Sequence, residues 1–150
     1  MRGILALVLA SSPLLPLTAV DEAAVVAAVI DGDTIEVEDG RRVRLLYIDT
    51  PESRDNSHGE AMAEGKAATA FLHTQLPRGT AVTLRGPGAR LQQDRYERTL
   101  AVVVVGGRTA QEQIISAGWS PYWRKYGDAA AWDQALDAQL IFPPFFGHGV

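Results

Sequence analysis

The stretch 29–52 constrains this chain most. It reads Val29-Ile30-Asp31-Gly32-Asp33-Thr34, an alternating apolar and polar run to Glu38, an Asp39-Gly40 dipeptide, and Arg42-Val43-Arg44-Leu45-Leu46-Tyr47-Ile48-Asp49-Thr50-Pro51-Glu52. Asp-Gly between two β-favouring runs marks a tight hairpin, because glycine takes the positive φ that the turn demands. With another β-favouring run at 23–30, this predicts strands at 23–30, 34–38 and 42–48. Short turns join them, so they form an antiparallel meander and not a βαβ unit. The same stretch carries Asp33, Asp49 and Glu52 together with Arg44. Acids this close are costly to keep ionised unless a cation balances them.

Two readings of those acids stand side by side. A hard cation such as calcium takes several oxygen ligands, carboxylates and main-chain carbonyls among them, and two aspartates at strand ends with a carbonyl at 49–50 supply that chemistry. Alternatively Asp31-Gly32-Asp33 is a turn and Asp49-Thr50-Pro51 a strand exit, since Asp, Gly and Pro are turn residues. Spacing alone does not separate them. An EF-hand is excluded, because the spaced ligands and the glutamate at the twelfth position are missing.

Beyond Glu52 a helix is expected over 61–76, opened by Ser57-His58-Gly59-Glu60 with capping-box spacing and closed by Pro77 and Gly79. Its apolar stripe reads as Ala63, Ala67, Ala70 and Phe71, and Gly65 weakens it by about 1 kcal/mol relative to alanine. Strands follow at 80–85 and 99–105, the second an almost unbroken apolar run. Thr109-Ala110-Gln111-Glu112 opens a short helix through Ser116, and the recurrence of Trp132, Leu136 and Leu140 predicts another over 128–140. Five short strands with one helix before the last two define an α+β, mainly β chain: a five-stranded OB-fold barrel with about three helices packed around it.

Residues 1–19 read as an export signal: Arg2, an apolar core at 4–10, and Leu17-Thr18-Ala19 at a cleavage position. The barrel domain is expected over 20–142 and a tail over 143–150, and a secreted or periplasmic location follows. No apolar run approaches the length of a membrane span.

There are no cysteines among the 150 residues, which removes thiolate metal sites, thiol catalysis and disulfides. The net charge of -4 argues against a protein that grips nucleic acid by bulk charge. Its cations are twelve arginines and two lysines, and the arginine fork suits bidentate phosphate contacts. His58, His73 and His148 lack ligand or nucleophile–base spacing. Arg44 and Arg98, the latter in Asp94-Arg95-Tyr96-Glu97-Arg98, are of the type that stabilises charge growing on a phosphodiester under attack. The segment Trp119-Ser120-Pro121-Tyr122-Trp123-Arg124-Lys125-Tyr126 has side chains that stack bases and hold phosphate, or that pack on a core.

Taken in order, 29–34, 44–52 and 94–98 resemble the staphylococcal nuclease-like (thermonuclease) family, with Gly118-Trp119 and Arg124-Lys125-Tyr126 adding a weaker match; the likeness covers roughly 25–140. The resemblance implies an OB-fold, calcium-dependent phosphodiesterase that acts on DNA and RNA and leaves 3'-phosphates, working as a monomer. It implies Asp33, Asp49 and the Thr50 carbonyl as calcium ligands, Glu52 as general base, Arg44 and Arg98 as phosphate clamps, and Arg124, Lys125 and Tyr126 as substrate contacts. The other function considered is a non-catalytic OB-fold module that binds nucleic acid or protein. Three departures stand out. The family's glycine before the second arginine is Glu97 here, the usual lysine-rich surface is missing, and the end of the chain is apolar (Phe142, Phe145, Phe146).

Overall fold

A computed structural model describes residues 18–53 and 59–143. Among these residues seven strands run as β1 (Ala19–Asp31), β2 (Thr34–Val37), β3 (Arg42–Leu45), β4 (Ala81–Pro87), β5 (Gln92–Gln93), β6 (Thr99–Val105) and β7 (Arg108–Thr109). Helices are α1 (Gly59–Gln75), α2 (Ala110–Ser116) and α3 (Gln134–Ile141), with a 3-10 turn at Ala129–Ala131.

β1 is shared by two sheets. Its first half pairs with β4 (Ala19 opposite Pro87) and its second with β2 (Asp31 opposite Thr34), bending through two register shifts. β2 pairs with β3, β4 with β6, and the parallel β3–β6 pair (Val43 opposite Thr99) closes the ring. The result is the five-stranded OB barrel expected from the sequence, in which each of the five strands has two barrel neighbours. The hairpin at Gly40 forms as read: Gly40 has φ 94, and the Arg41 amide donates to Asp39 Oδ1 at 3.0 Å.

Val26, Ile35, Val43, Leu45, Val82, Leu84, Ala101 and Val103 fill the barrel, sealed by Leu72 of α1, Leu76 just past its end and Ile114 of α2. Leu100 and Val102 face outward, but into a second cluster with Tyr47, Ala129, Leu136 and Leu140 under α3. That is why β6 is apolar on both faces. Where β6 passes from one partner to the other, the fully buried Gln111 donates to the Ala101 carbonyl and accepts from the Val103 amide.

Several expectations need correcting. β3 stops at Leu45, because Tyr47 takes φ 71, a left-handed conformation that no strand continues. The buried face of α1 is Gly65, Ala68 and Leu72, continued by Leu76 just past its end, while Ala63, Ala67 and Ala70 face solvent. Burying two leucines outweighs burying alanines. The single helix over 128–140 is instead the 3-10 turn and α3, divided at Asp133, whose carboxylate caps α3 through the Leu136 amide at 3.0 Å. The Thr109–Glu112 capping box forms as expected. The capping residues Ser57 and His58, residues 1–17 of the 1–19 leader, and Phe145 and Phe146 lie outside the described residues.

Candidate active site

Two turns at one end of the barrel bring the acids and Arg44 together. Gly32, between β1 and β2, has no room for a side chain: a Cβ there would meet Ala68 at 2.9 Å and overlap the Thr50 hydroxyl. This close approach delivers Asp33 beside the 49–52 segment. The buried Asp33 carboxylate accepts from the Thr34 hydroxyl (3.2 Å), the Thr50 amide (3.2 Å) and the Thr50 hydroxyl (3.3 Å).

Arg44 is almost fully buried, and its charge is balanced from both sides. Nη1 donates to the Leu45 and Ile48 carbonyls at 2.6 and 2.9 Å. Nη2 lies 3.4 Å from Asp33 Oδ2 and 3.6 Å from Asp49 Oδ1. The two aspartates therefore face one guanidinium nitrogen, Asp33 buried and Asp49 about half exposed (54%). The left-handed turn at Tyr47 allows this, because it sends the chain back so that the Ile48 carbonyl meets the arginine of its own strand. Tyr47 is held by its hydroxyl, which accepts from Trp132 Nε1 at 2.7 Å, and by its carbonyl, which accepts from the Trp123 amide at 2.8 Å. The Trp123 ring in turn covers Arg44 at 5.4 Å. The buried Ser120 hydroxyl accepts from the Asp49 amide at 2.8 Å and fixes the other end of the turn.

Arg98 is set by a small loop of its own. Asp94 accepts from the Arg98 amide (2.9 Å), the Tyr96 amide (2.9 Å) and Arg98 Nε (2.8 Å). Burial alone would raise the Asp94 carboxyl, but the Arg98 amide and guanidinium and the Tyr96 amide hold it below its ordinary value. Nε is the atom that donates in that pair. Glu97 takes φ 63, so the position does require the left-handed conformation that glycine favours.

One open hollow of about 420 Å³ is lined by Arg44, Arg98, Tyr96, Trp123, Lys125 and Tyr126, among others. A neighbouring one holds Glu52 together with Arg98. The arginines, Glu52, Lys125 and Tyr126 thus share one groove system. Arg124 is directed elsewhere: it pairs with Asp128 at 2.8 Å and covers the Tyr122 ring at 4.1 Å.

The donor chemistry fits a hard divalent ion. Asp33, Asp49 and the Thr50 carbonyl would offer oxygen donors, and Asp49 is half exposed. Burial and then the Asp33 charge push the Asp31 carboxyl up to about 6. Among the described residues no three acid or histidine side chains converge on one point, so a bound ion would need the main-chain carbonyl and water as well. Asp31 and Trp123 were not singled out in the sequence; Asp31 reads as a turn residue and Trp123 as one of several aromatics.

A closed OB barrel with paired arginines and acids at one end defines an OB-fold protein with an anion-facing site. Residues 42–139 match the family model for the staphylococcal nuclease homologue, and the chain belongs to that family. It is 33% identical over 105 residues to an uncharacterized endonuclease of Escherichia coli O157:H7, across 67% of this chain and 61% of that protein. It is 36% identical over 97 residues to the thermonuclease of Staphylococcus hyicus, across 62% of this chain and 54% of that one. The matches thus span less than two thirds of the length of these relatives. Asp33 precedes the segment that the family model matches, so that match does not bear on its place in the site.

Proposed function

We propose that the chain is a calcium-dependent phosphodiesterase that hydrolyses DNA and RNA and leaves 3'-phosphates. The observation that carries this reading is the placement of Arg44 between Asp33 and Asp49, with Arg98 opening on the same hollow and Glu52 on the one beside it. Relatives described as an endonuclease and a thermonuclease support it.

Calcium held by Asp33, Asp49 and the Thr50 carbonyl would polarise the phosphate and lower its charge. Glu52, exposed on the loop after β3, accepts the proton of a water as its oxygen bonds to phosphorus. Arg44 and Arg98 donate to the non-bridging oxygens, whose charge grows in the transition state; each such contact is worth roughly 10²–10³ in rate. The bond from phosphorus to the 5' oxygen breaks, that oxygen takes up a proton, and the phosphate stays on the 3' side. Because Arg44 is buried against carbonyls and Trp123, its geometry is set before substrate arrives. Lys125 and Tyr126 contact the nucleotide from the hollow. A binding-only module has no need of Glu52 beside Arg98.

The direct test is digestion of single-stranded DNA by purified protein, in calcium and then in chelator, with end-group analysis. Calcium-dependent fragments ending in 3'-phosphate support the reading, and folded protein inert in calcium overturns it. We also place the protein outside the cytoplasm, as secreted or periplasmic, on the pattern of residues 1–19. An intact mass that retains them in the exported fraction would refute the cleavage.

A further inference from the structure

We propose that Arg42 forms a second phosphate subsite, which takes the phosphate next to the scissile one on the strand being cut. The proposal rests on the nuclease reading above and adds a direction to it. β3 and β6 run parallel with Val43 opposite Thr99 and Arg44 opposite Leu100, so one step earlier Arg42 stands beside Arg98. Val43 is buried in the barrel, and side chains alternate along a strand, so Arg42 projects outward on the same side as Arg44. Neighbouring strands lie about 4.8 Å apart. Two arginines opposite each other on one face repel, and an anion between them removes that cost.

The acids nearby leave Arg42 available. Arg41 is tied to Glu22 and Asp39, both at 2.9 Å. Arg98 gives only Nε to Asp94. Arg42 has Glu36 at 4.0 Å, the outer limit of an ion pair, and its side chain is half exposed (52%). It lines the hollow of about 500 Å³ that also holds Glu52, Tyr96 and Arg98. A further hollow continues from Arg42 and Arg98 over the Asp39–Arg41 turn. The groove therefore runs from the aromatic end at Trp123 and Tyr126, past Arg44 and Arg98, to Arg42. A strand lying in it meets stacking surfaces on one side of the cut and a guanidinium on the other.

The test compares Arg42→Ala with Arg108→Ala, which removes the same charge from β7, opposite Val105 at the far end of β6 and about 20 Å away at 3.3 Å per residue. Binding of a single-stranded thymidine oligonucleotide is measured in chelator across a salt series. Loss of one phosphate contact makes the slope of log K against log salt shallower by about 0.7 in Arg42→Ala, and Arg108→Ala keeps the wild-type slope. In calcium, the ratio of kcat/KM on the oligonucleotide to that on a dinucleoside monophosphate, which has no second phosphate, falls about tenfold in Arg42→Ala. Arg42→Lys restores much of both. Arg42→Ala matching Arg108→Ala in slope and ratio overturns the subsite. Wild-type protein that binds but does not cleave would overturn the nuclease reading instead, and the salt slope would then decide the subsite alone.

Discussion

Gly65→Ala sets two physical effects against each other at a position that governs Glu52. Gly65 lies inside α1, where replacing glycine with alanine ordinarily stabilises by about 1 kcal/mol. Here it is buried, and a Cβ would overlap the Glu52 carbonyl carbon and oxygen and the Ser53 amide nitrogen. Those are main-chain atoms, so no rotamer change relieves the overlap. Forcing one methyl into such a contact costs about 1–3 kcal/mol. The difference is a net loss of about 0–2 kcal/mol, or a few degrees of melting temperature for a chain of this size. The cheaper response is a shift of the 52–53 segment away from the helix, which carries Glu52 off its mark. A displacement of about 1 Å at a catalytic group costs about 100-fold in rate. Thermal unfolding and steady-state cleavage on the same preparation measure both effects. A variant stabilised by the full ~1 kcal/mol helix gain and retaining wild-type turnover would refute the packing of Glu52 on α1.

Asp33→Asn removes the buried carboxylate of the proposed calcium set. Wild-type protein at calcium 100 times its Kd gains about 2.7 kcal/mol against unfolding, and the variant gains almost none, as read by melts with and without calcium. Glu97→Gly relieves the left-handed backbone before Arg98 and raises stability by up to about 1 kcal/mol; an unchanged melting temperature would show that the turn carries no strain. Asp94 has a folded pKa below its unfolded value of 3.8, so its stabilisation is present above that value and is lost as pH falls through the folded one. Acid unfolding of Asp94→Asn therefore converges with wild type at low pH and lies below it at neutral pH.

What the sequence revealed depended on how local each signal was. Asp39-Gly40 and the Thr109–Glu112 box are self-contained, and both form as read. The trio Asp33, Arg44 and Asp49 was legible because a hairpin fixes their relation over a short stretch. β5 and β7 are two residues each and carry no pattern of their own; they exist because β6 offers them an edge. The buried stripe of α1 and the end of β3 were misread because tertiary contacts decide them. Leu72 and Leu76 orient the helix, and Tyr47, a good strand former, is held left-handed by Trp132 and Trp123 from distant parts of the chain. Gly65 looked like a weak point in a helix, and its reason is the Glu52 main chain lying on it.

The most direct measurement is cleavage of single-stranded DNA by wild type and Glu52→Gln side by side, with calcium binding followed on both. Wild type should cut in calcium and stop in chelator, while Glu52→Gln binds the ion as well and turns over roughly 100-fold or more slowly. Near-normal cleavage by the variant, or no cleavage by folded, calcium-bound wild type, would contradict the assignment.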